Sequence, residues 1–364
     1  MERKAVAATE PLLEIKQPEP QPVTVRQFGA AMASAWDSFV QAQPTATPFH
    51  SIAWMRALEK SFDYEPRSLV AERGGRITGV LPLFFISNWI MGRCLMSTPF
   101  ADYGGTCAED QESTDALIEH AKQMARAENV NFVELRHRKC KLHRGFNHRS
   151  LYVSFTASLT PDPEAMLKRL PRDTRYLLRK AEKANLELRS GLEQLPGFYR
   201  LFAANWRRLG TPVFSPRWLE ILAEEFHDSV DLKLAYHQGR PVAGVLSLTF
   251  RDTLFPHYAG ACPDAGRLAV NNFIYWELMK DAKGKGLRRF DFGRSKRCTG
   301  AYNFKSSWNM QVDTLDYQVF LVRRKDEPNF SPTNPKFEMA TRLWSLMPLN
   351  ATTWLGPKVV RWFP

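Results

Sequence analysis

The alternation of apolar and polar positions divides the chain into two similar runs of elements. In the first run a strand is predicted near 23–27, followed by helices around Trp36 and Trp54. SLVAER and RITGVLPLFFI read as strands joined by a turn at Gly74-Gly75, and RCLMSTPF reads as a third. Leu117, Ile118, Ala121, Met124 and Ala125 recur at helical spacing, which predicts a helix over 113–128. NFVELR and LYVSFTASL complete the run as strands. The second run gives helices over about 163–184, 192–209 and 216–227, then strands DLKLAY, RPVAGVLSLTF and DTLFPHYAG. A helix over about 268–284 precedes the strand RRFDFG, and a last strand lies near LDYQVFLV.

Residues match as well as elements. GRITGVLPL at 75–83 resembles GRPVAGVLSL at 239–248 with one residue inserted. YGGTC at 103–107 resembles YAGAC at 258–262, and FVELR at 132–136 occupies the place of FDFGR at 290–294. Correspondences that keep one order imply an internal duplication. Each copy is a mixed sheet flanked by helices, so the predicted class is α/β of the layered α+β kind. TPDP near 160 marks the boundary. The expected organisation is a flexible tail over 1–22, a first domain over 23–157, a second over 158–325, and a C-terminal segment over 326–364. That segment combines Trp344, Trp354 and Trp362 with Arg342, Lys358 and Arg361, so it either packs back onto the protein or meets a membrane interface.

Composition supports this plan. A length of 364 residues suits two domains. Hydrophobic residues at 44% can fill sizeable cores and argue against global disorder. Lys+Arg at 50 against Asp+Glu at 38 leaves +12, which favours a polyanionic partner: phosphate, nucleic acid such as tRNA, or an anionic membrane face. Cys94, Cys107, Cys140, Cys262 and Cys298 are far apart and odd in number, so neither a disulfide framework nor a structural zinc site is expected, and a reducing cytoplasm fits. The N-terminus lacks the apolar core of an export signal. The longest uncharged run, 77–92, contains Pro82 and Asn88 and falls short of the ~20 residues a spanning helix needs.

The chemistry-bearing stretches are concentrated late in the chain. Asp291 alternates with Phe290 and Phe292 on a predicted central strand, so it faces away from them. A carboxylate there must be paired or line a cleft. It is either a general base or substrate anchor at the strand's C-terminal end, or the partner of Arg288, Arg289 or Arg294. Arg294, Lys296 and Arg297 follow at once, either to grip a phosphate-bearing molecule or as a solvated loop. Lys305 sits among Tyr302, Phe304 and Trp308, as a near-neutral amine, an oxyanion stabiliser or a surface lysine. The helix opening at Leu268–Asn272 presents N–H groups suited to an anion, with Arg267, Asn271 and Asn272 beside them. Arg172, Arg175, Arg179 and Lys183 share one helical face, which lines an anionic groove or faces solvent. Asp102-Tyr103 and His257-Tyr258 are cleft candidates by the symmetry of the duplication, with core packing as the alternative. HExxH, GxSxG, P-loop and GxGxxG motifs do not occur, and the histidine spacing suggests no metal site.

These residues resemble the FemAB-type branch of the GNAT acyltransferase superfamily, and most of all the FemAB-like proteins associated with exosortase (PEP-CTERM) systems. The likeness spans roughly 24–345 and is most specific in STPFADYGG, LGTPVF, NNFIYWELM and FDFGRSKR with Phe304-Lys305 and Trp308 after it. It implies tandem GNAT-like domains with a cleft between them. It also implies transfer of an acyl or aminoacyl group to an amine of a cell-envelope or exopolysaccharide precursor, in the cytoplasm or at the inner membrane surface. Phe304-Lys305 matches the family's Phe-Lys pair, whose lysine is implicated in the reaction. The catalytic candidates are thus Lys305, Asp291 and Tyr258. The substrate-binding candidates are Arg294, Lys296, Arg297, Tyr302, Phe304, Asn271, Asn272, Arg267, Arg175, Asp102 and Tyr103. The donors the resemblance allows are acyl-coenzyme A and aminoacyl-tRNA, neither of them fixed. RLAVNN at 267–272 lacks the glycine of the coenzyme A-binding [RQ]xxGx[GA] loop, which weighs against the former. Cys298 and Asn309 stand where close relatives tend to carry glycine, a residue that serves positive φ. The competing class of function is a non-catalytic protein whose basic cleft binds RNA or a lipid-linked sugar phosphate.

Overall fold

Glycine turns start the main hairpin of each half. Gly75 (φ +79) follows strand Leu69–Arg73 and Gly239 (φ +74) follows strand Val230–His237. Each reverses the chain, into strand Arg76–Leu81 in the first half and Arg240–Phe250 in the second. These are the two GR-hydrophobic segments that match in sequence. The computed structural model describes residues 21–160, 162–327 and 335–364, the side chains of 335 and 336 excepted. Most of the tail expected over 1–22 therefore lies outside the described residues.

Both halves run through one order. A helix pair comes first: Ala33–Ala42 with Ile52–Phe62, then Leu195–Arg208 with Pro216–Phe226. Antiparallel strands follow. A crossover helix, Gln111–Ala127 or Val270–Gly284, then delivers a strand parallel to its neighbour. Phe132–His137 runs parallel to Gly92–Ser97, and Arg289–Lys296 runs parallel to Thr253–Ala261. FVELR and FDFGR are thus the corresponding parallel strands.

Two long predicted elements are broken, both by proline. The helix expected over 163–184 is two helices, Pro163–Arg169 and Arg172–Glu182, because Pro171 holds Leu170 in an extended conformation. RITGVLPLFFI splits at Pro82 into Arg76–Leu81 and Phe84–Asn88, which belong to different sheets. The first half thereby has a four-stranded and a six-stranded sheet, and the second half a seven-stranded one.

Two strands cross the limits drawn from the sequence at 157/158 and 325. Tyr152–Ser158 pairs with Arg289–Lys296 inside the second half's sheet, and Val153 and Phe155 join that half's core. Asp316–Leu321 pairs with Phe132–His137 in the first half's sheet, and Leu315, Tyr317 and Val319 join a core to which both halves contribute. The halves exchange strands. Periodicity reports which residues alternate, not which neighbour a strand selects.

The two helix pairs pack on each other, with Ile52–Phe62 against Pro216–Phe226. Trp54 and Trp218 meet edge to face at 5.6 Å with both rings fully buried. Burying a large side chain stabilises by about 1.5–3 kcal/mol, so this shared core couples the halves. The C-terminal helices Pro335–Leu346 and Leu349–Val360 lie on helix Leu195–Arg208. Their end reaches the first half, where Arg361 O accepts from Tyr64 and the Pro364 carbonyl accepts from Arg136. No helix among the described residues is long and apolar enough to cross a membrane.

Candidate active site at the seam

Strand Arg289–Lys296 ends where the two halves meet. Asp291 is 1% exposed and points off the phenylalanine face, as alternation requires. Its partners come mainly from the other half. Oδ1 accepts from the Tyr103 hydroxyl at 3.0 Å and from the Gly293 N–H at 2.8 Å, and Oδ2 pairs with Arg138. Arg138 also lies over the Tyr103 ring at 4.3 Å. The expected pairing with Arg288, Arg289 or Arg294 is therefore replaced by Arg138. Three donors leave Asp291 little acceptor capacity for a substrate proton.

Gly293 (φ +69) makes the next contact possible. A Cβ there would sit 2.3 Å from Asp102 Oδ2. Asp102 Oδ2 accepts from the Arg294 N–H at 3.1 Å, and its Oδ1 lies 3.6 Å from Arg294 Nε. Burial pushes the Asp102 carboxyl up, but Arg294, His257 and Lys305 more than offset this and leave it lowered. Arg294 donates to the Tyr317 hydroxyl at 3.1 Å, and that hydroxyl donates to Asp102 O at 2.6 Å. Tyr152 stacks under the Arg294 guanidinium at 4.8 Å. Burial opposes the charge on Arg294, but Tyr317, Asp102 and Tyr152 raise its pKa and keep it cationic.

Lys305 stands on the short helix Gly300–Ser306, capped by Thr299, whose hydroxyl accepts from the Tyr302 N–H. Its ammonium donates to the carbonyls of Phe292, Gly293 and Arg294 at 2.6, 3.3 and 3.0 Å. Burial lowers its pKa to about 8, with Arg294 adding to the shift and Asp102 opposing it. His257 lies nearby, its ring 5.1 Å from Phe49 and 5.3 Å from Trp54. Burial holds it neutral, with its pKa lowered to about 4, and its Nε2 is buried without a partner. A crevice of about 30 Å³ opens beside Asp291, and Arg138, Arg251 and Arg289 contribute its cations.

Lys305, Asp291, Arg294, Asp102 and Tyr103 thus form one connected cluster. The other candidates are dispersed. Tyr258 lies in the aromatic core among Phe202, Phe214 and Trp218, and its hydroxyl accepts from Trp218 Nε1 at 2.9 Å. Phe304 packs on Tyr275, Phe292 and Trp308, and Tyr302 on Phe155. Arg297 donates to Thr314, and Lys296 is half-buried beside it on the strand. Arg267 is exposed near Asp264. Asn271 and Asn272 open helix Val270–Gly284, where Asn272 Nδ2 is buried without a partner. Arg175 lies on helix Arg172–Glu182, which packs against that same helix.

Two residues of this cluster escaped the sequence reading. Tyr317 had no local signal, since its strand is exchanged between halves. Arg138 had one: it follows FVELR at the position where Lys296 follows FDFGR. The duplication could have pointed to it.

Residues 168–306 match the acetyltransferase (GNAT) domain family, a span that ends just after Lys305. No curated protein sequence matches the chain. Among solved structures, the crystal structure of FemX is similar with a TM-score of 0.63 at 14% identity, over 82% of this chain and 98% of FemX. The C-terminal domain of a putative lysylphosphatidylglycerol synthetase from Agrobacterium fabrum gives 0.55 at 12%, over 87% and 95%. A tandem GNAT protein from the clavulanic acid biosynthesis pathway gives 0.51 at 11%, over 84% and 100%. The chain has a mixed α/β fold of the tandem GNAT kind, with its seam between the repeats.

Proposed function

We propose that this chain is an N-acyltransferase of FemAB-like specificity. It would move an acyl or aminoacyl group onto an amine of a cell-envelope or exopolysaccharide precursor at the seam. The exosortase-associated branch and its polysaccharide setting belong to the same proposal. The observation that carries it is Lys305, a lysine lowered to about 8 and held on three strand-end carbonyls beside Asp102 of the other half.

The chemistry follows from that geometry. The acceptor amine attacks the donor's carbonyl carbon. The carbonyl oxygen takes up negative charge, which the Lys305 ammonium stabilises by exchanging its longest bond, 3.3 Å to Gly293 O, for the oxyanion. The bond from that carbon to the donor's oxygen or sulfur then breaks, and the amine's proton passes through water to the leaving group. Asp291 acts as a positioning residue, since Tyr103, Gly293 and Arg138 already hold it. Arg138 and Arg289, paired with Asp291 and Asp252, and Arg251, bound to the Gln43, Pro44 and Ala46 carbonyls, would add positive charge for a donor's phosphate. The missing glycine of RLAVNN favours aminoacyl-tRNA over acyl-coenzyme A. Exposed Trp354, Leu343 and Leu346 on the C-terminal helices favour contact with the inner membrane surface from the cytoplasmic side.

One observation favours the alternative of a non-catalytic protein that binds RNA or a lipid-linked sugar phosphate. Every bonding position on the Lys305 ammonium is already taken. The deciding experiment incubates the purified chain with aminoacyl-tRNA or acyl-coenzyme A and a panel of amines, and follows product by mass spectrometry. Transfer lost in Lys305→Ala supports the enzyme. Tight, salt-sensitive tRNA binding without transfer supports the binding protein.

A further inference from the structure

The loop that follows Arg138 carries a feature the transfer chemistry does not use. One ring nitrogen each of His137 and His143 and the Cys140 sulfur lie within 4.8 Å of one another. Cys140 Sγ and His143 Nε2 are 3.3 Å apart. Ligands of one tetrahedral ion, ~2.3 Å away for sulfur and ~2.0 Å for nitrogen, stand roughly 3.5 Å from each other. The spacing is H-x2-C-x2-H, which places no two ligands on adjacent residues.

A second observation concerns the His137 ring. His137 is 3% exposed, and its Nδ1 is buried with no hydrogen-bond partner. Its Nε2 lies 3.1 Å from both the N–H and the hydroxyl oxygen of Thr106. In the metal-free neutral ring, Nε2 accepts from that N–H, and the ring proton sits on Nδ1 without an acceptor. A cation on Nδ1 removes this orphan. The proton then moves to Nε2, where Thr106 Oγ1 accepts it in exchange for the bond from the Thr106 N–H. The ring is seated closely, because a Cβ on Gly105 would lie 2.1 Å from His137 Cδ2.

Carboxylates lie beside the cluster, amid the basic residues of the loop and Lys122. Asp115 Oδ1 lies 3.9 Å from His143 Nδ1, on the side of the ring away from Cys140. Asp316 Oδ2 accepts from the Cys140 N–H at 2.9 Å. Strand Asp316–Leu321 also fixes the loop through Gln318, which accepts from the His143 N–H and donates to Lys141 O, both at 2.9 Å. Cys140 is half-buried, which leaves a way in. Imidazole with thiolate selects a borderline-soft ion, with zinc ahead of magnesium or calcium.

We propose that His137 Nδ1, Cys140 Sγ and His143 Nε2 bind a zinc-class divalent ion, with water completing the tetrahedron. Binding converts the Cys140 thiol to thiolate and releases its proton to solvent. The ion clamps the loop directly after Arg138 and so fixes the backbone from which Arg138 reaches Asp291.

The test uses the full chain, reduced and stripped of metal, titrated with Co²⁺. A saturable thiolate-to-cobalt charge-transfer band with tetrahedral visible bands is expected, displaced by Zn²⁺, with one ion per chain by elemental analysis. Cys140→Ala and His143→Asn should abolish the band, whereas Cys298→Ser should keep it. A wild-type chain that gives no band at saturating Co²⁺ overturns the proposal, and that readout does not depend on the variants folding. So does a band that survives Cys140→Ala or disappears with Cys298→Ser.

Discussion

The Tyr103 hydroxyl donates to Asp291 Oδ1 at 3.0 Å, joining residues 188 positions apart in sequence and on opposite sides of the seam. Arg138 closes the arrangement by bonding Asp291 and stacking on Tyr103. Tyr103→Phe removes one donor from a carboxylate that keeps two others. It should destabilise by about 1–3 kcal/mol in urea unfolding. Asp291→Asn leaves Arg138 without its counter-charge and should cost more, of the order of 3–5 kcal/mol, reduced because Arg138 is partly exposed. An Asp291→Asn variant as stable as wild type would show that the pair does not hold the seam.

Lys305→Ala should lower the transfer rate about 10²–10³-fold, the usual loss when one oxyanion donor is removed. The pH dependence has a definite sign. The ammonium is the active form and its pKa is about 8, so transfer should decline as pH rises through 8. In Lys305→Arg that decline should disappear, because guanidinium stays charged. With an acceptor whose amine is already neutral at pH 7, a wild-type rate that climbs through pH 8 would assign Lys305 to a neutral-amine role instead.

Cys298 (φ +60) and Asn309 (φ +52) both occupy left-handed backbone. Cys298→Gly should therefore stabilise, by roughly 0.5 kcal/mol after the entropy cost of glycine. Asn309→Gly should change stability less, since asparagine tolerates this region. Thermal melts of the two variants give the comparison, and a Cys298→Gly variant that melts lower contradicts it.

His50 and His257 are both held neutral by burial, each with its pKa lowered to about 4. Unfolded, each titrates near 6.5, so the unfolded chain binds more protons between those values. Stability should be fully present above pH 6.5 and fall as the pH drops towards 4. In His257→Gln the loss over that window should be shallower. Equal slopes for variant and wild type would show that His257 is already protonated in the fold.

The duplication, the helices over 113–128 and about 268–284 and the strands FVELR and FDFGR were legible, because GRITGVL/GRPVAGVL and FVELR/FDFGR report local periodicity and turn chemistry; the parallel pairing of those strands was not. Residue alternation also placed Asp291 on the right face. What could not be read was partnership. Nothing near Asp291 identifies Arg138 as its counter-ion, and nothing in LYVSFTASL states that it joins the other half's sheet. Tyr258 and Phe304 illustrate the opposite difficulty. An aromatic next to a motif serves the core as readily as a substrate, and only the surrounding rings decide. The His137, Cys140 and His143 grouping depends on a loop closing on itself, which a search for standard ligand spacings passes over.

The exchanged strands have a consequence for how this protein comes into being. A ribosome that has finished the first repeat has not yet made the piece that completes its sheet, and the second repeat needs a piece synthesised before it began. Neither could mature alone on emerging from the tunnel, and a gene cut between them would encode two incomplete polypeptides. Produced together, those fragments should find each other and restore the whole. That interdependence keeps the acidic and basic groups at their junction in register for as long as the molecule stays folded.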